Sequence, residues 1–346
     1  MFVFPRFRVV KRRLNPLRGA RKCVYHAPGN VPTRGLILVG FQLPSLIRTG
    51  ARMLAPRFAK CWSTIVLMLC LAAIVGCEAN QSHSLTEMNK GVEAYREGNY
   101  GSAVEHLKEA DRIWPENAQA NYMLGQIYQH KYEEPATAIG FYEKATTLAP
   151  DMADYWYHKG ACLVAVKRDS EAKLALNKAV ELKPGHADAL YRIGVVEERA
   201  GKPKAAAQSY GDSIRADARK PFAYYNLGDL YFRNRKVEEA QRVFKNGVEN
   251  NPTSAELRHG LGVSYLAQKK YREALVEFEE ALRLKERYPS ALFNIGMAYN
   301  ALGQRAKAKA YLEKFIRSAK ANENSARIAA AEARLTEILE SERESQ

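Results

Sequence analysis

Six histidines follow residue 77, at positions 83, 106, 130, 158, 186 and 259, and imidazole is the side chain readiest to ligate a metal or move a proton near neutral pH. None stands in H-x-x-x-H or H-E-x-x-H spacing, which would set two rings on one helical face around a zinc ion. His106 and His130 are read instead as residues of solvated helix faces. Gly194 to Gly201-Lys202 has a superficial likeness to a phosphate loop, but the glycine spacing is wrong and Pro203 follows the lysine, so the segment is read as a turn between helices. Cys162, two residues after Gly160, lacks an identifiable basic partner to activate it and suits a small buried core position. Carboxylates are plentiful but lie beside Lys and Arg, as helix-surface charges do. The expectation is a chain that is not an enzyme, with no catalytic residues, no cofactor, no metal and no small-molecule substrate.

The elements that hold these residues announce themselves by periodicity. Gly91, Gly125, Gly160, Gly194, Gly228, Gly262 and Gly296 follow one another at spacings of 34, 35, 34, 34, 34 and 34. Twelve or thirteen residues after each comes a small residue (Ala103, Ala138, Ala172, Ala206, Ala240, Ala274, Ala308), and four later a large one (Leu107, Tyr142, Leu176, Tyr210, Phe244, Phe278, Leu312). Four copies also keep an apolar residue before the glycine and a tyrosine three after it: Leu124/Tyr128, Leu227/Tyr231, Leu261/Tyr265 and Ile295/Tyr299. Pro115, Pro150, Pro184 and Pro252 mark helix ends.

This register resembles the tetratricopeptide repeat (TPR), in which two helices cross closely at Gly and Ala while large residues fill the space beside the crossing. The resemblance implies an all-α fold: a right-handed TPR superhelix, or α-solenoid, of about seven helix pairs over residues 84–322, with a C-terminal capping helix and tail over 323–346. Ile328, Ala331, Leu335, Ile338 and Leu339 recur at the spacing of that cap. Copy one has Lys90 and Ala94 where apolar and aromatic residues are usual, as suits a more solvated terminal repeat. Copy two has one extra residue, placed in its turn around Tyr132 to Pro135. Ser213 and Ala218 in copy four, and Glu286 in copy six, depart from the usual Ala and Pro and leave the helix ends there open.

The formal net charge of +15 belongs mostly to the first 76 residues, which hold 13 Lys and Arg and no Asp or Glu; 40 basic and 38 acidic residues remain after them. A near-neutral body without a basic stripe excludes nucleic acid as a partner. Four of five cysteines (Cys23, Cys61, Cys70, Cys77) precede the repeats, so no internal disulfide framework is expected. From Met53, Arg57 and Lys60 stand ahead of a 12-residue apolar run, Thr64 to Val75, too short to span a bilayer as it stands and laid out as a signal peptide over 53–76. It ends in Ile74-Val75-Gly76-Cys77, which resembles a bacterial lipobox; the resemblance implies a lipid on Cys77 and a polar tether over 77–83. Glu78 follows the cysteine where lipoproteins retained in the inner membrane typically carry Asp, so the resemblance implies the outer membrane, with the body facing the periplasm. An uncleaved signal anchor is the other reading, and both put the body across the membrane. Residues 1–52 fit neither, and Met53 is expected to be the true start.

The residue three before each repeat glycine should point into the concave groove of such an array. These are Met88, then Tyr122, Tyr157, Tyr191, Tyr225, His259 and Phe293, a ladder of rings suited to a peptide or helix of a partner protein. Alternatively, part of each ring packs within the array. A Lys/Asn clamp for a C-terminal carboxylate is not supported, since the matching places hold His158, Ala161 and Arg192; Asn226 and Asn294 are candidates to bind a peptide backbone. The expected function is a non-catalytic scaffold tethered to the cell envelope, similar in plan to the lipoprotein pilotins of type IV pili and the repeat lipoproteins of outer-membrane assembly machines. The alternatives are a repeat region related to the O-linked N-acetylglucosamine transferases, for whose sugar-nucleotide domain no room follows the repeats, and a soluble cytoplasmic co-chaperone.

Overall fold

The computed structural model describes residues 78–319 and 321–344; residues 1–52, the expected signal peptide over 53–76 and Cys77 lie outside the described residues. The described chain is helical hairpin after helical hairpin. α1 (78–96) pairs with α2 (Tyr100–Ile113), α3 (Ala118–His130) with α4 (Pro135–Leu148), α5 (Ala153–Ala165) with α6 (Asp169–Leu182), and α7 (Ala187–Arg199) with α8 (Pro203–Ala216). α9 (Pro221–Arg233) pairs with α10 (Val237–Asn250), α11 (Ala255–Ala267) with α12 (Tyr271–Leu284), and α13 (Pro289–Ala301) with α14 (Arg305–Ser318); α15 (Ala321–Glu344) closes the array. Seven helix pairs and a terminal helix form the right-handed α-solenoid that the periodicity implied. Among the described residues no helix is long and apolar enough to cross a membrane.

The crossing inside each pair rests on the repeat glycine. All seven small residues from Ala103 to Ala308 are fully buried, and the seven large ones from Leu107 to Leu312 are fully or almost fully buried. A Cβ on Gly125 would lie 2.6 Å from a ring carbon of Tyr142, and the other six repeat glycines meet the large residue of their own second helix at 2.6–2.8 Å. Each large side chain therefore occupies the volume that any other residue at the glycine would need. One further glycine went unnoticed in the sequence. Gly260 approaches Phe244 from the next copy, where a Cβ would stand 2.4 Å from the ring, so Phe244 is held between Gly228 and Gly260.

The turns explain the irregular copies. Inside a pair the helices are three residues apart, except that copy two uses four, 131–134, for its extra residue. Each of these turns has one residue in the left-handed region: Gly98, Gly201 and Gly303, but also Glu133, Lys167, Arg235 and Lys269. Between pairs, Pro115, Pro150, Pro184 and Pro252 each stop the chain two residues past a helix end. Where Ala218 and Glu286 replace that proline the chain still turns, because Pro221 and Pro289 open the next helices at their first position, where a missing N–H costs nothing. Ser213 is buried but satisfied, donating to the Ala187 carbonyl at 2.8 Å.

The ends differ from expectation in detail. Residues 78–83, read as a polar tether, are helical and exposed, extending α1 before its first buried residue, Ser84. Ser84 donates to the Ala110 carbonyl (2.7 Å) and accepts from Asn117 (3.0 Å), fastening α1 to its neighbours. Lys90 is exposed as expected for a terminal copy, whereas Ala94 is buried. In α15, Ala331 and Ile338 are buried over Leu312 and Phe315, with Ile328 and Leu335 partly buried beside them. Leu339, assigned to the same stripe, is 39% exposed, since it lies one residue, about 100° of helix, past Ile338.

Candidate partner-binding groove

The six rings from Tyr122 to Phe293 are all half-buried, each on the first helix of its copy. Met88 is not a seventh rung: it is 6% exposed and belongs to the core of copies one and two. Most rungs rest on the same buried side chain that fills the space at the repeat glycine. Ring centroids are 5.9 Å apart for Tyr122 and Tyr142, 5.8 Å for Tyr191 and Tyr210, 6.2 Å for Tyr225 and Phe244, and 5.5 Å for His259 and Phe278. Phe293 leans instead on Phe315, at 5.2 Å. In copy three the large residue is Leu176, and Tyr157 takes its ring contacts from His158 (4.9 Å) and His186 (4.7 Å). Part of every ring is thus spent within the array, and the remainder is open.

In copies three, five and seven the side chain two residues before the repeat glycine ties one rung to the next. His158 lies edge-on to Tyr122 at 5.5 Å. Asn226 donates through Nδ2 to the Tyr191 hydroxyl at 3.3 Å, and Asn294 places Nδ2 3.0 Å from Nε2 of His259. The two asparagines, candidates to bind a peptide backbone, spend their amide nitrogens on the preceding rung. Sequence spacing placed these residues beside the ladder but did not give their partners; aligning the seven copies column by column would have exposed the position.

The ladder is uncharged at neutral pH. Burial pushes the imidazoles of His158 and His259 down to about 4 and raises the phenols of Tyr122, Tyr157, Tyr191 and Tyr225. Several of the charges around it are paired: Asp188 with Lys220 at 2.9 Å, Glu256 with Lys285 at 3.0 Å, and Arg233 with Asp229 at 2.7 Å and with Glu198. Asp154 lies 3.5 Å from Nε2 of His186, and that contact lowers the carboxyl. His186 also caps α7, its Nδ1 accepting from the Ala189 N–H at 3.3 Å, so its Nε2 carries the proton turned towards Asp154. Ala161 is buried, and Arg192 lies over the Tyr191 ring at 5.7 Å, so the carboxylate clamp does not assemble at these places.

The residues singled out for chemistry are dispersed. His130 is exposed, whereas His106, read as solvated, puts Nδ1 2.8 Å from Glu87 of the facing helix. Cys162 is fully buried, and burial pushes its thiol up to about 12, far from a nucleophile's range. Gly201 and Lys202 form the turn between α7 and α8. Among the described residues no three His, Cys, Asp or Glu side chains gather as a metal site.

Tetratricopeptide-repeat models match residues 88–153, 170–222 and 225–291, and again 153–186 and 289–322. The chain belongs to the tetratricopeptide-repeat family. No curated protein matches this TPR chain by sequence. Among solved structures, a TPR protein from Parabacteroides merdae is 18% identical with a TM-score of 0.53, over 75% of this chain and 99% of its own. PilF of Pseudomonas aeruginosa is 21% identical with a TM-score of 0.52, over 62% and 96%. YrrB, described as a TPR protein with an unusual peptide-binding site, is 23% identical with a TM-score of 0.44, over 55% and 97%. The first two share the fold. A TPR array of this kind is a protein-interaction scaffold, typically without catalysis of its own.

Proposed function

We propose that this TPR array is a lipid-tethered scaffold of the bacterial cell envelope that holds an extended peptide or a helix of a partner protein along Tyr122, Tyr157, Tyr191, Tyr225, His259 and Phe293. The observation that carries this reading is the ladder itself: six consecutive copies present a half-buried ring, most of them on a fixed buried floor. Pre-set rings offer large apolar contact at small entropic cost, and an uncharged ladder favours an apolar or aromatic segment over a strongly charged one. The tether rests on the lipobox-like Ile74-Val75-Gly76-Cys77, and a place in assembling an envelope or pilus machine follows from an outer-membrane lipoprotein whose array faces the periplasm.

Labelled palmitate and membrane fractionation test the tether. Wild type should incorporate the label and sediment with membranes, and Cys77→Ala should do neither. An unlabelled wild type, or a Cys77→Ala chain that stays membrane-bound, removes the lipid. For the groove, p-benzoylphenylalanine in place of Tyr225 should give discrete crosslinked products in intact cells, and the same group in place of Gln208, exposed on α8, should not. Equal products from both would sink the groove reading.

A further inference from the structure

Tyr128, Tyr231, Tyr265 and Tyr299, each three residues after a repeat glycine, close the seam between their own helix and the second helix of the copy before. Tyr231 packs with Ala206 and Tyr210 of α8, and the Tyr299 hydroxyl donates to Glu279 of α12 at 2.8 Å. A lysine lies over three of these rings: Lys108 over Tyr128 (5.8 Å), Lys236 over Tyr231 (5.9 Å) and Lys307 over Tyr299 (5.1 Å). Copies one and three carry the apolar Ala94 and Leu163 at this place, and copy four alone carries a charge, Glu197. Its carboxylate is folded down and satisfied by Lys173 Nζ at 2.9 Å and Ser209 Oγ at 2.7 Å, and the residue is only 8% exposed. No ring fills the seam between α6 and α7, and an open depression of about 430 Å³ lies there, with Leu174, Val196 and Lys202 on its walls.

Two features identify what fits. Leu174, 72% exposed, is the most exposed large hydrophobic among the described residues. Lys202 stands eight residues after its repeat glycine, the place held in copy five by Lys236, whose ammonium faces Tyr231. Copy four thus has the cation and the apolar wall for a ring that its own sequence does not supply. A ring presents its electron-rich face to a cation, so the two are complementary in charge distribution as well as shape.

We propose that this depression is a second docking point of the array, separate from the ladder, which takes a tyrosine or phenylalanine side chain of a partner protein between Leu174 and Val196 with its face beneath Lys202. The test is methyl NMR of the purified protein, labelled at Leu and Val, titrated with N-acetyltyrosine amide and, for contrast, N-acetylleucine amide. The tyrosine amide should shift the Leu174 and Val196 methyls saturably. The Val276 methyls, 63% exposed at the equivalent place of copy six beside Tyr299, should not move. Lys202→Gln should weaken binding about two- to fivefold, the range of an exposed cation–π contact. Glu197→Tyr, which supplies the ring from within, should abolish the shifts while the melting temperature holds; if that variant misfolds, Leu174→Asp should abolish the Val196 shift. Equal movement at Val276, an equal response to the leucine amide, or no saturable shift overturns the proposal.

Discussion

Gly125 is where a single methyl group is felt most directly. Its Cβ would press on Tyr142, whose ring cannot swing aside because it is fully buried and its hydroxyl donates to Gln129 at 2.8 Å. Gly125→Ala should therefore cost about 1–3 kcal/mol in urea unfolding. Gly140, on the exposed side of α4 with nothing near its Cβ position, is the matched contrast, and Gly140→Ala should stabilise by up to about 1 kcal/mol. Titration gives a second residue-scale prediction. His158 and His259 are held near 4 in the folded array against 6.5 ordinarily, so the unfolded chain binds more protons between those values. Their contribution is intact above about pH 6.5 and is lost as pH falls towards 4. The unfolding free energy of His158→Gln/His259→Gln, from urea titrations, should fall less than wild type's between pH 7 and 4.5, by about 2–5 kcal/mol for the two groups together; parallel curves would contradict the burial. The glycines, alanines and large residues were legible in the sequence because seven copies repeat them. The wiring of Asn226 to Tyr191, the cap made by His186 and the buried Glu197 were not, because each depends on which neighbouring copy the side chain meets.

At the scale of the element, the turns hold reserve stability. Lys167, Arg235 and Lys269 adopt φ near +60°, which a side chain resists by about 1 kcal/mol and glycine does not. Changing each to Gly should raise the melting temperature, and Gly201→Ala, at φ +68°, should lower it; the reverse order would mean that side-chain contacts dominate these turns. The capping helix makes the other prediction. Deleting residues 321–346 uncovers Phe315 and Leu312, so amide exchange should quicken in α13 and α14 first and leave α5 to α8 unchanged. Helix count and the extra residue of copy two followed from the 34-residue period. The helical state of 78–83 did not, because EANQSH is polar and its composition read as linker. The roles of Pro221 and Pro289 were missed because the period was read for proline after a helix, not before one.

For the whole molecule, a near-neutral body and a strongly basic first 76 residues were plain from charge distribution, and the array followed from its register. What the array presents was less legible. Spacing found six rungs but counted Met88 as a seventh, since period alone does not distinguish the side of a terminal copy that closes the core from the side that opens to solvent. Six half-buried rings, most of them on buried floors, lead to one central claim, that a partner segment runs along the groove. The most direct measurement compares capture of crosslinked proteins in intact membranes by wild type, by Tyr157→Ala/Tyr191→Ala/Tyr225→Ala, and by a control variant with three changes on exposed second-helix positions, Glu105→Ala, Gln208→Ala and Arg242→Ala. At equal expression and helicity, the ring variant should lose its captured partners and the control should keep them. Unchanged capture by the ring variant would contradict the account.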